Sequence, residues 1–215
     1  MIHGMGILLV CLLITLPLKA GAEGIPLNGN ERRYDWYVSQ YGTGPDALIN
    51  CGPACAVMAA KWYDEAFGGT VQEARDSNPA LKGKWWYYRH IQSYLIQNGT
   101  DVSHAYHALQ SDFKRILDEN KIIIANIHSR DITYRDDETD IGRFYEGCFG
   151  HFIILKGYRE ADGTDYFEVY DPYTLESFYA DGSPKGRDRI FPADEVIGSV
   201  RDWGDGEYLI VNPPR

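Results

Sequence analysis

Near residue 120 the apolar residues change their spacing. Before that point they recur at helical intervals, as in Ala54, Val57, Met58 and Trp62, or Phe113, Ile116 and Leu117. After it they stand in β-branched or alternating runs. Examples are Ile122-Ile123-Ile124-Ala125-Asn126-Ile127-His128 and the alternation of Tyr166, Glu168 and Tyr170 against Phe167 and Val169. A helical pattern does not sit as a strand, nor a strand pattern as a helix. Helices collected ahead of strands exclude a chain of βαβ units. They predict an α+β fold, with N-terminal helices packed on a C-terminal antiparallel sheet.

The spacing predicts helices over residues 53–67, 70–74, 85–97 and 111–120, with Thr70 and Ser111 as caps, and a short helical piece over 192–200. Strands are expected over 122–128, 151–157, 165–171 and 207–212. Asp162-Gly163 marks a hairpin between the second and third of these. Residues 129–150 read as a polar connection whose acidic run, 136–140, is a solvated loop. That run lacks the spaced oxygens and glycine of a calcium loop.

At the N-terminus, Ile7-Leu8-Leu9-Val10-Cys11-Leu12-Leu13-Ile14 and then Ala20-Gly21-Ala22 read as a secretory signal over residues 1–22, cleaved after Ala22. The apolar run is too short to span a bilayer, so no stable membrane insertion is expected. Residues 23–215 would form one exported domain, secreted, periplasmic or at the cell surface. The formal net charge of −10 argues against nucleic acid and anionic membrane as partners. Without Cys11 the cysteines are Cys51, Cys55 and Cys148, an odd number. Either a Cys55–Cys148 bridge leaves Cys51 free, or all three are thiols.

Asn50-Cys51-Gly52-Pro53-Ala54 places a cysteine where an apolar helix begins. Proline suits the first turn, and the unpaired N–H groups there favour a thiolate, the nucleophilic form of cysteine. Such a cysteine needs a base and a group that orients the base. His151 opens one strand and Asp171 closes another. A hairpin symmetric about Ala161 sets them opposite each other, whereas a turn centred on Asp162-Gly163 moves the partner of His151 toward Thr174, a difference that a bulge could absorb. His104, His107 and His128 lack the companions that a zinc site requires, so neither metal nor cofactor is expected.

Three blocks carry a family resemblance: Asn50-Cys51-Gly52-Pro53-Ala54, Gly150-His151-Phe152-Ile153-Ile154-Leu155-Lys156-Gly157-Tyr158 and Val169-Tyr170-Asp171-Pro172-Tyr173. Together the sequence resembles the C39-like peptidases, a papain-like cysteine peptidase group, in a free-standing form without transporter segments. The resemblance implies a papain-like fold, with Cys51 as nucleophile, His151 as base and Asp171 as orienter. It also implies an oxyanion-hole glutamine upstream of the cysteine, for which Gln40 is the candidate. The loop 41–50 would have to fold back to bring Gln40 close. Asn50 is the alternative donor, or else the helix cap, and the Cys51 N–H would be a second donor. The implied activity is hydrolysis of a peptide or amide bond in a peptide or protein substrate. Acyl transfer by the same residues and a catalytically inactive binding module are the alternatives. The presence of nucleophile, base and orienter together favours the enzyme.

Overall fold

A computed structural model describes residues 29–135, 137 and 139–214. The expected signal, 1–22, lies outside the described residues. The chain runs through α1 (Cys51–Tyr63), α2 (Val71–Asp76), α3 (Tyr88–Gln97), β1 (Val102–Ala105), α4 (Gln110–Asp118), β2 (Ile122–His128), β3 (Gly150–Ala161), β4 (Thr164–Tyr170), β5 (Arg189–Pro192), α5 (Ala193–Trp203) and β6 (Tyr208–Val211). The strands form one antiparallel sheet in the order β1-β6-β2-β3-β4-β5. The class is α+β, as the sequence predicts.

One expectation about the layers is refined. α1 and α3 pack on one face of the sheet, against Ile122, Ile124, Phe152 and Ile154. The other face, with Ile123, Ala125, Ile127, Ile153 and Leu155, is covered by α4 and α5. Both faces are therefore buried, which is why β2 and the start of β3 are continuously apolar rather than alternating. β1 falls in a stretch that carries no strand signal. Its residues are partly exposed, and it is held by pairing to β6 at the sheet edge.

Local chemistry explains most boundaries. Thr70 and Glu73 close a capping box at α2. Ser111 does not cap α4: the helix begins at Gln110, with Leu109 at the cap position and no side-chain cap bond. Asn50 likewise makes no side-chain cap on α1. α1 is the central helix, buried at every residue from Cys51 to Ala60 and again at Trp62. Its apolar residues are stabilised by roughly 1.5–3 kcal/mol for each large side chain. Among the described residues no helix is long and apolar enough to cross a membrane.

Candidate active site

Cys51 is the first residue of α1, and the first bond at this end of the helix runs from the Ala54 N–H to the Asn50 carbonyl, 2.8 Å. Pro53 has no N–H to lose. The N–H groups of Cys51 and Gly52 lack a helical partner by construction and point out of the helix end, where its dipole is positive. Cys51 itself is only 3% exposed.

The β3–β4 hairpin delivers the other two groups. Ala161 pairs with Thr164, and Asp162 and Gly163 both have positive φ, so the turn is centred on Asp162-Gly163. The symmetric alternative about Ala161 is thereby excluded. A bulge between Leu155 and Gly157 then shifts the register, so that Ile154 pairs with Tyr170. β4 ends at Tyr170, and His151 meets Asp171 diagonally across the opening strand ends. The His151 Nε2 to Asp171 Oδ1 distance is 2.6 Å, and both side chains are buried. Cys51 lies near enough to the ring for its side chain to contribute to raising the imidazole pKa. The three residues singled out in the sequence, Cys51, His151 and Asp171, thus come together.

Asp171 is held through its backbone and through Oδ1. Its N–H donates to the Gly186 carbonyl at 2.8 Å, and its own carbonyl accepts from the Tyr37 hydroxyl at 2.7 Å. Oδ1 also accepts the Tyr173 N–H at 2.8 Å. A Cβ on Gly186 would be driven into the Asp171 carbonyl oxygen and the Tyr37 hydroxyl, so only glycine lets the two backbones approach this closely.

The electrostatics favour a charged imidazole. Burial by itself depresses the His151 pKa. The charge and hydrogen bond of Asp171, with a smaller contribution from Cys51, overcome that and push it up to about 10. Aromatic rings wall off the pair: Tyr145, Phe149 and Tyr173 each lie edge-on or steeply tilted to the imidazole, 5.7–5.9 Å between centroids. The Tyr145 hydroxyl and Asp171 Oδ2 are both buried and have no hydrogen-bond partner within normal geometry. They are near enough that Asp171, after burial, raises the Tyr145 pKa. Tyr145 lies in the long connection that reads from sequence as polar loop, and nothing in its local pattern marks it as part of the site.

Gln40 is buried, and its N–H donates to the Pro172 carbonyl at 2.9 Å, one residue past Asp171. Its side-chain Nε2 donates to the Ala47 carbonyl at 3.0 Å. The loop does fold back, through a 3-10 turn over Ala47–Ile49. Asn50 serves elsewhere. Its Nδ2 donates to the Thr43 hydroxyl at 2.9 Å, and its Oδ1 accepts from Arg75 Nε at 2.8 Å, with Arg75 reaching on to the Ile49 carbonyl. Asn50 is thus a brace between the loop and α2 rather than a cap.

The three described cysteines are free thiols, Cys51 and Cys55 buried and Cys148 exposed. There is no Cys55–Cys148 bridge. Burial, helped by the nearby Cys51 and Asp171 charges, raises the Cys55 pKa well above its ordinary value, which makes this thiol inert. His104, His107 and His128 do not converge: His104 faces Glu207 and His128 lies against Trp203. Glu31, Glu168 and Asp188 come together closely enough to hold a cation. Lys156 Nζ fills that position, 2.9 Å from Glu168, 2.7 Å from Asp188 and in contact with Glu31.

The architecture is that of papain-like cysteine peptidases. Two solved structures share it. The chain superposes on a C39-like peptidase from Bacillus anthracis with a TM-score of 0.53, at 10% identity, covering 83% of this chain and 95% of that one. It superposes on UfSP from C. elegans with a TM-score of 0.54, at 14% identity, covering 88% of this chain and 34% of that one, so it spans about a third of the UfSP chain. No family model matches the sequence, and no curated protein matches it. At these identities the likeness is one of fold.

Proposed function

We propose that the protein is a cysteine-dependent hydrolase of peptide or amide bonds. The observation that carries this reading is the buried His151–Asp171 pair, 2.6 Å apart, beside a cysteine at a helix N-terminus, with the imidazole pKa raised by Asp171 and Cys51. The Cys51 sulfur attacks the substrate carbonyl while its proton resides on His151. The tetrahedral oxyanion is met by the Cys51 N–H and by the second N–H of the Gln40 amide, the first being bound to Ala47. His151 then donates its proton to the leaving amine, and the acyl group remains on sulfur as a thioester. Water, deprotonated by His151, releases the acid and restores the thiol. Asp171 keeps the ring oriented throughout. This cycle calls for no metal or cofactor. The N-terminal apolar run and its Ala20-Gly21-Ala22 site support export of the enzyme.

Labelling with iodoacetamide or E-64, read peptide by peptide in a mass spectrometer, tests the reading. Cys51 is expected to react much faster than free cysteine, and Cys51→Ala and His151→Ala are each expected to abolish turnover with the fold retained. A Cys51 no more reactive than free cysteine, or full activity in either variant, refutes it.

A further inference from the structure

A cavity of about 630 Å³ opens beside the Cys51–His151 pair. It touches Gly150 and Phe152, the chain neighbours of His151, and Trp86, which packs against Gly52 beside Cys51. Trp86, on one wall, packs where a Cβ on Gly52 would come within 2.8 Å of it. Gly150, on another, leaves room for the Trp203 ring, which a Cβ there would meet at 2.8 Å. The cavity therefore lies against the residues that flank Cys51 and His151.

Its walls are unusual for a protein surface. Trp85, Tyr87 and Trp203 are 44%, 57% and 50% exposed, and all three line this one cavity. Large aromatic residues left in water around a single opening mark a place that is covered by a ligand. The charges are specific too. Asp205 and Glu207 stand on the lining, and among the described residues neither is paired with a lysine or arginine; Glu207 faces only His104 at 3.5 Å. The one cation on the lining, Arg89, is already stacked over Tyr87 at 5.0 Å. Two carboxylates against one guanidinium leave the cavity acidic, within a chain that is acidic as a whole. Three polar atoms on the lining are buried without hydrogen-bond partners: the Asn126 Oδ1 acceptor, the Trp86 Nε1 donor and His104 Nε2, the last 3.5 Å from Glu207. An unused acceptor and an unused donor suit a peptide unit, which offers one N–H and one carbonyl.

We propose that this cavity selects a basic side chain, lysine or arginine, on the acyl side of the bond that Cys51 attacks. The aliphatic stem lies against the exposed rings, the cation gains from their π faces, and its head reaches Asp205 and Glu207. Aromatic walls alone would suit a phenylalanine or leucine equally well; the unpaired carboxylates decide for a cation. The assignment rests on the hydrolase reading above, and the experiment separates the two.

Dipeptidyl acyloxymethyl ketones, in which the Cys51 sulfur displaces the carboxylate leaving group, would carry lysine, leucine, phenylalanine or glutamate at either residue. The second-order rate of Cys51 labelling is the readout. The lysine probe is expected to react at least about tenfold faster than the others, equivalent to about 1.4 kcal/mol. That ratio should fall severalfold in Asp205→Asn with Glu207→Gln. A leucine or phenylalanine probe as fast as the lysine probe, or a ratio unchanged in the double variant, overturns the proposal while leaving the hydrolase intact. If no probe labels Cys51, tryptophan fluorescence of Cys51→Ala titrated with acetyl-Lys-Gly-amide and acetyl-Glu-Gly-amide decides. Preference for the lysine peptide then upholds the pocket although the hydrolase reading has failed, and equal or absent binding ends the proposal as well.

Discussion

Replacing Asp171 with asparagine tests the electrostatics of the site most directly. Asparagine keeps the size of the side chain and an oxygen for the Tyr173 N–H, but removes the charge facing His151 Nε2. In the native protein the imidazole is pushed from 6.5 up to about 10. At about 1.4 kcal/mol per pH unit, the site favours the charged ring by about 5 kcal/mol against the opposing cost of burial. Without Asp171 that cost is opposed only by the smaller contribution of Cys51, so the pKa should fall to 6.5 or below. Histidine-labelled protein followed by NMR from pH 5 to 11 reads this, with His151→Ala identifying the resonance. Native His151 is expected to titrate near 10, and Asp171→Asn His151 at or below 6.5. The sign for stability follows. A raised folded-state pKa contributes stability that is fully present below 6.5 and is lost as the pH rises through 10. The advantage of the native protein over the variant in chemical denaturation should therefore be largest in mildly acidic buffer and shrink in alkali. A His151 resonance still titrating near 10 in the variant would refute the assignment of Asp171 as the group that charges the ring.

Gln40→Ala should lower kcat by about 10²–10³ with a smaller change in KM, the pattern of a lost oxyanion donor; steady-state kinetics on an amide substrate would show instead an unchanged kcat if the oxyanion is met elsewhere. Gly186→Ala forces a methyl into the Asp171 carbonyl and the Tyr37 hydroxyl, and should destabilise the fold by about 1–3 kcal/mol in urea while slowing Cys51 alkylation. Lys156→Met leaves Glu168 buried beside Asp188 and Glu31 without its cation, and should cost about 3–5 kcal/mol by denaturant titration at neutral pH, with partial recovery in acid as the carboxylates protonate.

Much of the site was legible in the sequence because its signals are local. A cysteine before Gly-Pro at a helix start, a histidine opening an apolar run and an Asp-Pro closing an alternating one each announce a position on an element. The Asp162-Gly163 turn was readable for the same reason, since only particular residues adopt positive φ at both central positions. The helical and strand periods carried the fold class in the same way.

What depended on the tertiary structure was everything set by contact between distant segments. β1 is a strand only because β6 offers it an edge. The covering of both sheet faces follows from α4 and α5 crossing behind the sheet, a matter of connection rather than of period. Asn50 has the composition of a cap, yet Arg75 and Thr43, 25 and 7 positions away, engage its side chain instead. The diagonal meeting of His151 and Asp171 depended on a one-residue bulge that no pattern marked. Tyr145, Gly186 and the cavity walls come from stretches far apart in the chain. A sequence records which groups are able to react; packing alone determines which of them touch, and touching is what charges His151 and brings it to Cys51.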